Sequence, residues 1–157
     1  MFVTDLLGGT CFYCHEKSED TYRENMKKGK EEKMGRTILG APRKKPTKNA
    51  QAVKVGNVIY TAGVPFNWDT GEVVGKTIQE QTKQTMENIK TTLEACGSSM
   101  DNIDKCTVYV TSMDHVAGMN EVYYSFFPPD STPTRACIIA GLAHPDLMLE
   151  IEVIAHV

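Results

Sequence analysis

The chain of 157 residues contains no apolar run that approaches the roughly 18 residues of a membrane-spanning helix. Residues 1–9 carry Asp5 and no basic residue, so they match a secretory signal peptide poorly. Glycine-rich loops of the phosphate-binding kind are missing as well. The five cysteines are odd in number, which favours reduced thiols over a disulfide framework. The lack of a membrane span, the poor match to a signal peptide and the reduced thiols together predict a cytoplasmic protein.

Charge is distributed unevenly along the chain. Residues 1–50 hold 11 Lys/Arg against 7 Asp/Glu, whereas residues 51–157 hold 6 against 13. The acidic second part argues against a nucleic-acid partner, since such partners require a basic surface. The densest basic run, Arg43-Lys44-Lys45, is more typical of a solvated linker than of a phosphate contact.

Composition divides the chain into two parts. Residues 1–47 form a polar N-terminal extension, which is either a weak helix or disordered, because it has few large apolar residues. Residues 48–157 form the domain. Its predicted elements are a hairpin of Val53–Val55 and Val58–Ala62, a helix that Thr77 opens and Gly97 ends, a strand at Asp104–Thr111, a helix capped by Ser112 or Asp114, and two final strands. The apolar face of the first helix is expected to comprise Ile78, Thr82, Met86, Ile89 and Leu93.

This order, β-β-α-β-α-β-β, predicts an α+β fold with both helices on one face of the sheet. The second helix is expected to bury an apolar face that comprises Met113, Val116, Met119, Tyr123 and Phe126 or Phe127. The other face of the sheet has no covering element, and oligomerisation would cover it.

The last two strands carry the charges that most suggest a site. Arg135 begins the first of them and is the only arginine after Arg43, and Glu150 lies within the second. An unpaired charge on a half-buried strand is costly, so Arg135 is expected to have an anionic partner. The loop at residues 141–146 predicts a hairpin, which would place the two charges near one pocket mouth. Either Arg135 holds a substrate carboxylate while Glu150 positions a water, or Arg135 forms a structural ion pair with Glu150 or Glu152.

Other candidate groups carry less information. Cys137 shares a strand face with Arg135, and we interpret it as a small buried hydrophobe because no histidine is placed to activate it as a nucleophile. The run Cys11–His15 matches the C-x-x-C-H pattern of haem attachment, which we interpret as a chance match. Asn120 is an amide on the second helix and by itself indicates nothing.

Several segments, taken together, resemble the Rid family of reactive-intermediate deaminases, also called the YjgF family, over about residues 51–157. The matching segments are Val55–Gly63, Asp69–Val73, Val108–Val110, Met119–Phe127, Pro133–Cys137 and Leu149–Ala155. In this order and at these spacings the set is highly specific, although no single segment is.

The resemblance implies a chorismate-mutase-like fold, assembled as a homotrimer around a central β-barrel with active sites between subunits. It implies hydrolysis of enamines and imines, such as 2-aminoacrylate and 2-iminobutanoate, to 2-keto acids and ammonia without a metal or organic cofactor. Arg135 matches the family arginine that binds the substrate carboxylate, and Glu150 matches the glutamate that orients the attacking water. Cys137 matches a cysteine whose backbone helps to hold the substrate, and Asn120 matches a supporting pocket residue.

The chain departs from the family pattern at the pocket wall. The family's active-site tyrosine has no counterpart, because its position falls near Ala50, and Ala62 stands where a serine is expected. These changes leave Arg135 and Glu150 intact. We therefore expect either an imine deaminase with an altered pocket or a non-catalytic trimer of the same fold that binds a small keto or amino acid.

Overall fold

The computed structural model describes residues 35–41 and 49–157, and these form one mixed six-stranded sheet with two α-helices. Contacts place Gly35–Val157 in a single compact unit. The elements are β1 (Arg36–Leu39), β2 (Ala52–Val55), β3 (Val58–Gly63), α1 (Ile78–Ala95), a 3-10 turn (Met100–Asn102), β4 (Ile103–Val110), α2 (His115–Ser125), β5 (Thr134–Ile139) and β6 (Leu149–His156). The predicted α+β class and the predicted order from β2 onward are confirmed.

The strands lie in the order β1-β2-β3-β6-β4-β5, and only the β4–β5 pair is parallel. The predicted hairpin between the last two strands is therefore wrong, because β4 lies between them. A strand–helix–strand crossover makes its two strands parallel, so β5 follows α2 onto the free side of β4. The chain then crosses the end of β4, and β6 pairs antiparallel with both β3 and β4.

Strand β1 is an element that the sequence analysis did not predict. It pairs antiparallel with β2, in a register that sets Arg36 opposite Val55. The Gln51 side chain holds the end of this strand, since its Nε2 donates to the Ala41 carbonyl (2.8 Å) and its Oε1 accepts the Ala41 N–H (2.9 Å). The strand lies within the segment assigned to the extension, while the predicted boundary at residues 47–48 lies outside the described residues, as does the Arg43-Lys44-Lys45 run.

Helix α1 begins and ends as predicted. Thr77 accepts the Glu80 N–H at 3.2 Å, and the Glu80 carboxylate accepts the Thr77 N–H at 3.1 Å, which completes a capping box. The Glu80 carboxylate also accepts the Lys76 N–H at 2.8 Å, and the backbone bonds from Lys76 and then Thr77 lower the pKa of Glu80. Gly97 follows the helix with a φ of 78°, a conformation that glycine adopts without strain. The buried apolar face is the predicted one, with Ile78, Met86, Ile89 and Leu93 in the core.

Helix α2 begins after Asp114, the later of the two predicted cap positions, but it has no side-chain cap. Asp114 occupies the N-cap position but makes no capping hydrogen bond, and the Ser112 hydroxyl accepts the Asp114 N–H in the turn before the helix. Met113 was expected on the apolar face and is instead 70% exposed, because it precedes the helix. Met119 and Tyr123 are buried against the sheet as predicted. Within the described part of the chain, no helix has both the length and the apolarity to cross a membrane.

The two faces of the sheet differ sharply in burial. One face meets α1 and α2 and forms the core, with Cys106, Val108 and Val110 of β4 and the odd-numbered residues of β6 among its buried members. The opposite face has no covering element among the described residues, and it leaves Tyr60 48% exposed and Ile138 42% exposed. This face is the one that the sequence predicted to need a partner.

Candidate active site

Arg135 is held against helix α2 by aromatic and sulfur contacts. Its guanidinium carbon lies 4.7 Å from the ring centroid of Tyr123 and 4.9 Å from that of Tyr124. Its Nη1 donates weakly to the Met119 sulfur at 3.9 Å. Aromatic faces attract a cation without consuming its hydrogen-bond donors. The guanidinium is thus positioned while its planar fork of N–H groups stays free to bind a carboxylate.

No carboxylate in the described part of the chain forms an ion pair with Arg135. Strand register explains why the predicted pairs with Glu150 and Glu152 do not form. Arg135 lies opposite Cys106 on β4, whose side chain is in the core, whereas Glu150 lies opposite Tyr109. Directly opposed residues share a face, and faces alternate along a strand. Arg135 and Glu150 therefore project from opposite faces of the sheet.

Two predictions are corrected by this arrangement. The structural ion pair between Arg135 and a β6 glutamate is wrong, and so is the expectation that a hairpin brings Arg135 and Glu150 to one pocket mouth within the chain. Both rested on direct pairing of β5 with β6, and β4 separates those strands. Within one chain, the two groups therefore do not face the same ligand.

Glu150 stands half-buried on the open sheet face, near a second acid. Burial, and to a smaller degree the Glu152 carboxylate, raise the pKa of Glu150 above its ordinary value. The Tyr109 hydroxyl donates to Glu152 Oε2 at 3.0 Å. That hydrogen bond is the main reason why the pKa of Tyr109 is raised, so the phenol remains a donor at neutral pH. The cluster therefore contains one carboxyl group with strengthened basicity and one whose charge a phenol partly compensates.

A shallow groove of about 370 Å³ adjoins this cluster on the open face. Its lining includes Tyr60, Ala62, Lys105, Thr107 and Glu152. Ala62 is the position at which the family pattern expects a serine, and it is exposed to the groove. The groove thus offers one cation and one carboxylate, but its wall at residue 62 has no hydroxyl group.

Cys137 is exposed, so the interpretation as a buried hydrophobe is wrong. It lies opposite the fully buried Val108 and points to the helix-covered side of the sheet. Helix α2 covers the beginning of β5, at Arg135, but not the rest of this edge strand, of which the other residues are exposed. Among the described residues, Cys96, Cys106 and Cys137 form no disulfide bond. The Cys11–His15 run lies outside the described residues.

Asn120 lies one residue beyond Met119 on α2, and one helical turn before Tyr124. Its Oδ1 is buried and accepts no hydrogen bond from the described residues. The Tyr123 hydroxyl is buried as well, and burial together with a side-chain hydrogen bond to Cys106 raises its pKa, so this hydroxyl is neutral. An unsatisfied buried polar group is costly. The Asn120 amide oxygen therefore marks the part of α2 that contacts Arg135 as polar and incompletely partnered among the described residues.

The structure thus brings Asn120 and Cys137 to the side of the sheet that carries Arg135, and it leaves Glu150 on the other. Sequence reasoning missed Tyr124 and Tyr109, one of which contacts the arginine while the other lies beside the glutamates. The spacing of four residues between Asn120 and Tyr124 on a predicted helix was the available signal for the first. Among the described residues, no group of three or more His, Cys, Asp or Glu side chains is arranged to hold a metal ion.

Comparison with known proteins accounts for most of the chain. Residues 43–157 match the family model described as Endoribonuclease L-PSP. A crystal structure of YyfA from Yersinia pestis, a protein of the Rid family, superposes with a TM-score of 0.72 at 28% identity, and the match covers 78% of this chain and 100% of that one. The chain belongs to the Rid (YjgF) family.

Individual members of the Rid family are similar to about two thirds or more of the chain. A RutC family protein of Pyrococcus abyssi is 43% identical over 108 residues, which cover 68% of this chain and 84% of the relative. TdcF of Escherichia coli, which bears the name of a reactive intermediate deaminase, is 37% identical over 108 residues, or 67% of this chain and 83% of TdcF. A crystal structure of Escherichia coli TdcF with bound serine has a TM-score of 0.67 and 33% identity, and the match covers 77% of this chain and 98% of that one.

Proposed function

We propose that this Rid protein hydrolyses reactive 2-imino and 2-enamino acids to 2-keto acids and ammonia. The observation that carries the proposal is the state of Arg135. Its guanidinium is held by Tyr123 and Tyr124, while no carboxylate of the described chain pairs with it. An arginine in this state is suited to bind the planar carboxylate of a small substrate bidentately. Relatives that are named as deaminases support this assignment.

The reaction requires little acid–base power from the protein. Water adds to C2 of the imine, the C2–N bond then breaks, and nitrogen leaves as ammonia while C2 becomes the keto carbon. An enamine reaches the same route after a proton is added at C3. Because C2 of the imine is already electrophilic, holding the substrate on Arg135 and placing one water supplies most of the effect.

Glu150 is the proposed group that orients and deprotonates this water. A carboxylate within hydrogen-bond reach of the water lowers the barrier when its pKa lies closer to the working pH. Burial and Glu152 shift the pKa of Glu150 in that direction. In this proposal the backbone at Cys137 helps to hold the substrate, and Asn120 supports the pocket.

Arg135 and Glu150 must then come from different copies of the chain. They project from opposite faces of one sheet, and the open face leaves Tyr60 and Ile138 exposed. A homotrimer, in which the edge strand β5 of each copy meets the open face of the next, would satisfy both observations. The expected ligand is a small 2-imino acid or a related carboxylate, and the cytoplasmic location remains a prediction.

One observation favours a second candidate, a trimer that binds a small keto or amino acid without turnover. Ala62 lines the groove at the position of the expected serine, and no tyrosine stands near Ala50. The related TdcF structure holds serine, an amino acid that carries the same carboxylate. A binding protein needs Arg135, but it has less use for a glutamate that faces a water.

The test is the release of ammonia and 2-keto acid from freshly generated 2-iminopropanoate and 2-iminobutanoate. Wild type is compared with Arg135→Ala, Glu150→Gln and the control Arg36→Ala, which removes an exposed arginine from strand β1. We expect release above the spontaneous rate in wild type and in Arg36→Ala only. Tight 2-ketobutanoate binding without release would instead establish the binding trimer. Dissociation or unfolding of Arg135→Ala would show that Arg135 is a structural residue.

A further inference from the structure

Gln81 is a fully buried polar side chain that joins helix α1 to two other backbone segments. It lies in the first turns of α1 and is 1% exposed. Its Nε2 donates to the Asp146 carbonyl at 2.8 Å and to the Gly75 carbonyl at 3.3 Å. Its Oε1 accepts the Met148 N–H at 2.8 Å. Both ends of the amide are therefore satisfied, and two of the three bonds reach the loop that leads into β6.

That loop has few other anchors. Residues 143–146 are exposed, and Leu147 is its one buried side chain. Apart from the Thr111 bonds to the Met148 carbonyl, its other hydrogen bonds to described residues are local ones, in which the Asp146 N–H donates to the His144 ring and the Leu147 N–H donates to the His144 carbonyl. The His144 ring also packs edge-on against Phe66, with ring centroids 5.8 Å apart. The link from Gln81, which spans more than 60 residues of sequence, therefore fixes the loop to the rest of the domain.

As a result, hydrogen bonds hold both the N–H and the carbonyl group of Met148. Its N–H donates to Gln81, and its carbonyl accepts the Thr111 N–H at 3.0 Å and the Thr111 hydroxyl at 3.4 Å. Strand β6 begins at the next residue, and Glu150 is the second residue of that strand. The position of Glu150 along the strand direction is therefore fixed by the hydrogen bonds that Gln81 and Thr111 make to Met148.

Burying an amide at this position costs free energy, because the amide must be removed from water. An apolar side chain of similar size would pack there without desolvating an amide, although it would leave the Met148 N–H and the Asp146 carbonyl unpaired. The amide instead specifies one loop conformation through directional bonds. It also forms part of the wall of a cleft of about 560 Å³ whose rim includes Lys76, Thr111, His115 and Asp146.

We propose that Gln81 is a positioning residue that fixes the start of β6 and thereby places Glu150. This inference rests on the proposed function only where it assigns Glu150 the task of orienting water. The placement of Glu150 is a structural property that can be measured whether or not the protein is an enzyme. The experiment therefore reads placement and turnover separately.

Placement is measured by carbon-13 NMR titration of the Glu150 carboxyl, assigned with Glu150→Gln. Three proteins are compared: wild type, Gln81→Met, and the control Gln84→Met. Gln84 lies one turn along α1, and its amide donates only to Asn88 Oδ1, at 3.0 Å. Because burial and Glu152 set the pKa of Glu150, we expect Gln81→Met to shift the titration midpoint and Gln84→Met to leave it unchanged. An unchanged midpoint in folded Gln81→Met would overturn the proposal.

Gln81→Glu keeps the test decisive if Gln81→Met does not fold. It retains the acceptor for the Met148 N–H and loses the donor to Asp146, and a smaller shift of the Glu150 midpoint is expected. Amide exchange at Met148 adds an independent reading: it should be faster in Gln81→Met than in Gln84→Met, whereas Gln81→Glu, which keeps the acceptor, should stay closer to wild type. Protection of Met148 equal to wild type in Gln81→Met would contradict the anchoring role.

Turnover is read through a double-mutant cycle with Glu150→Gln. We expect Gln81→Met to lower kcat about 10- to 100-fold while KM changes little, because a misplaced water reduces the rate and not carboxylate binding. In the Glu150→Gln background the same change should have almost no further effect, whereas independent sites would add. Additive losses overturn the coupling to Glu150. If wild type itself lacks turnover, the proposed function fails, and the titration alone decides the placement.

Discussion

The guanidinium carbon of Arg135 lies 4.9 Å from the ring centroid of Tyr124, and no carboxylate of residues 35–41 and 49–157 forms an ion pair with it. Tyr123 makes the second aromatic contact and is buried, whereas Tyr124 is half-exposed. A cation held by rings keeps its donors, and a cation held by a carboxylate does not. Tyr124 is therefore expected to contribute to ligand binding without necessarily touching the ligand.

Replacement of Tyr124 by leucine tests this contribution. Loss of a partly exposed cation–π contact of about 0.5–1 kcal/mol should weaken carboxylate binding about two- to fivefold. Tyr124→Phe keeps the ring and should bind as wild type does. The measurement is calorimetric titration with 2-ketobutanoate. Equal losses in the leucine and phenylalanine variants would assign the effect to the hydroxyl group and not to the ring.

The raised pKa of Glu150 makes a prediction about stability. A carboxyl group whose pKa is higher in the folded than in the unfolded state adds stability at low pH, and this stability is lost as the pH rises through the folded value. Glu150→Gln should therefore unfold at a higher temperature than wild type at pH 7, and the difference should vanish below pH of about 4. Thermal unfolding at both pH values checks this, and a lower midpoint for Glu150→Gln at pH 7 contradicts it.

Gly63 ends β3 beneath helix α1, and it leaves no room for a side chain. A Cβ built there would lie 2.5 Å from Ile89 Cγ1 and 3.1 Å from the Thr85 carbonyl. Gly63→Ala should destabilise the fold by about 1–3 kcal/mol through overpacking. Gly141→Ala is the matched control, because nothing lies within 4 Å of its Cβ position. Urea unfolding compares them, and equal midpoints would show that β3 and α1 separate without cost.

Local sequence patterns predicted the elements whose determinants are local. Helix α1 has its cap at Thr77, its stop at Gly97 and a buried face at helical spacing, and the structure confirms all three. In strand β4, polar and apolar residues alternate from Lys105 onward, so the sequence predicts this strand as well. Strand β1 is short, and its burial is slight, so the period-two pattern that reveals a strand is absent.

Local sequence patterns could not predict the order of the strands in the sheet. A loop between two apolar runs is compatible with a hairpin or with passage across a third strand, and only the pairing of β6 with β3 and β4 decides between them. This pairing places Glu150 on the sheet face opposite to that of Arg135. The candidate residues could thus be named from the sequence and the resemblance, but the face on which each projects could not.

The position of β6 also has a consequence for how the chain is made. This strand follows all the other described strands in chain order, yet it lies between β3 and β4 and is hydrogen-bonded to both. Before residues 149–156 are synthesised, β3 and β4 each present an unpaired edge that no earlier strand covers. The nascent chain must therefore keep these edges apart from other chains until residues 149–156 follow. A premature stop near residue 148 would remove the centre of the sheet, although it would leave every earlier strand in the sequence.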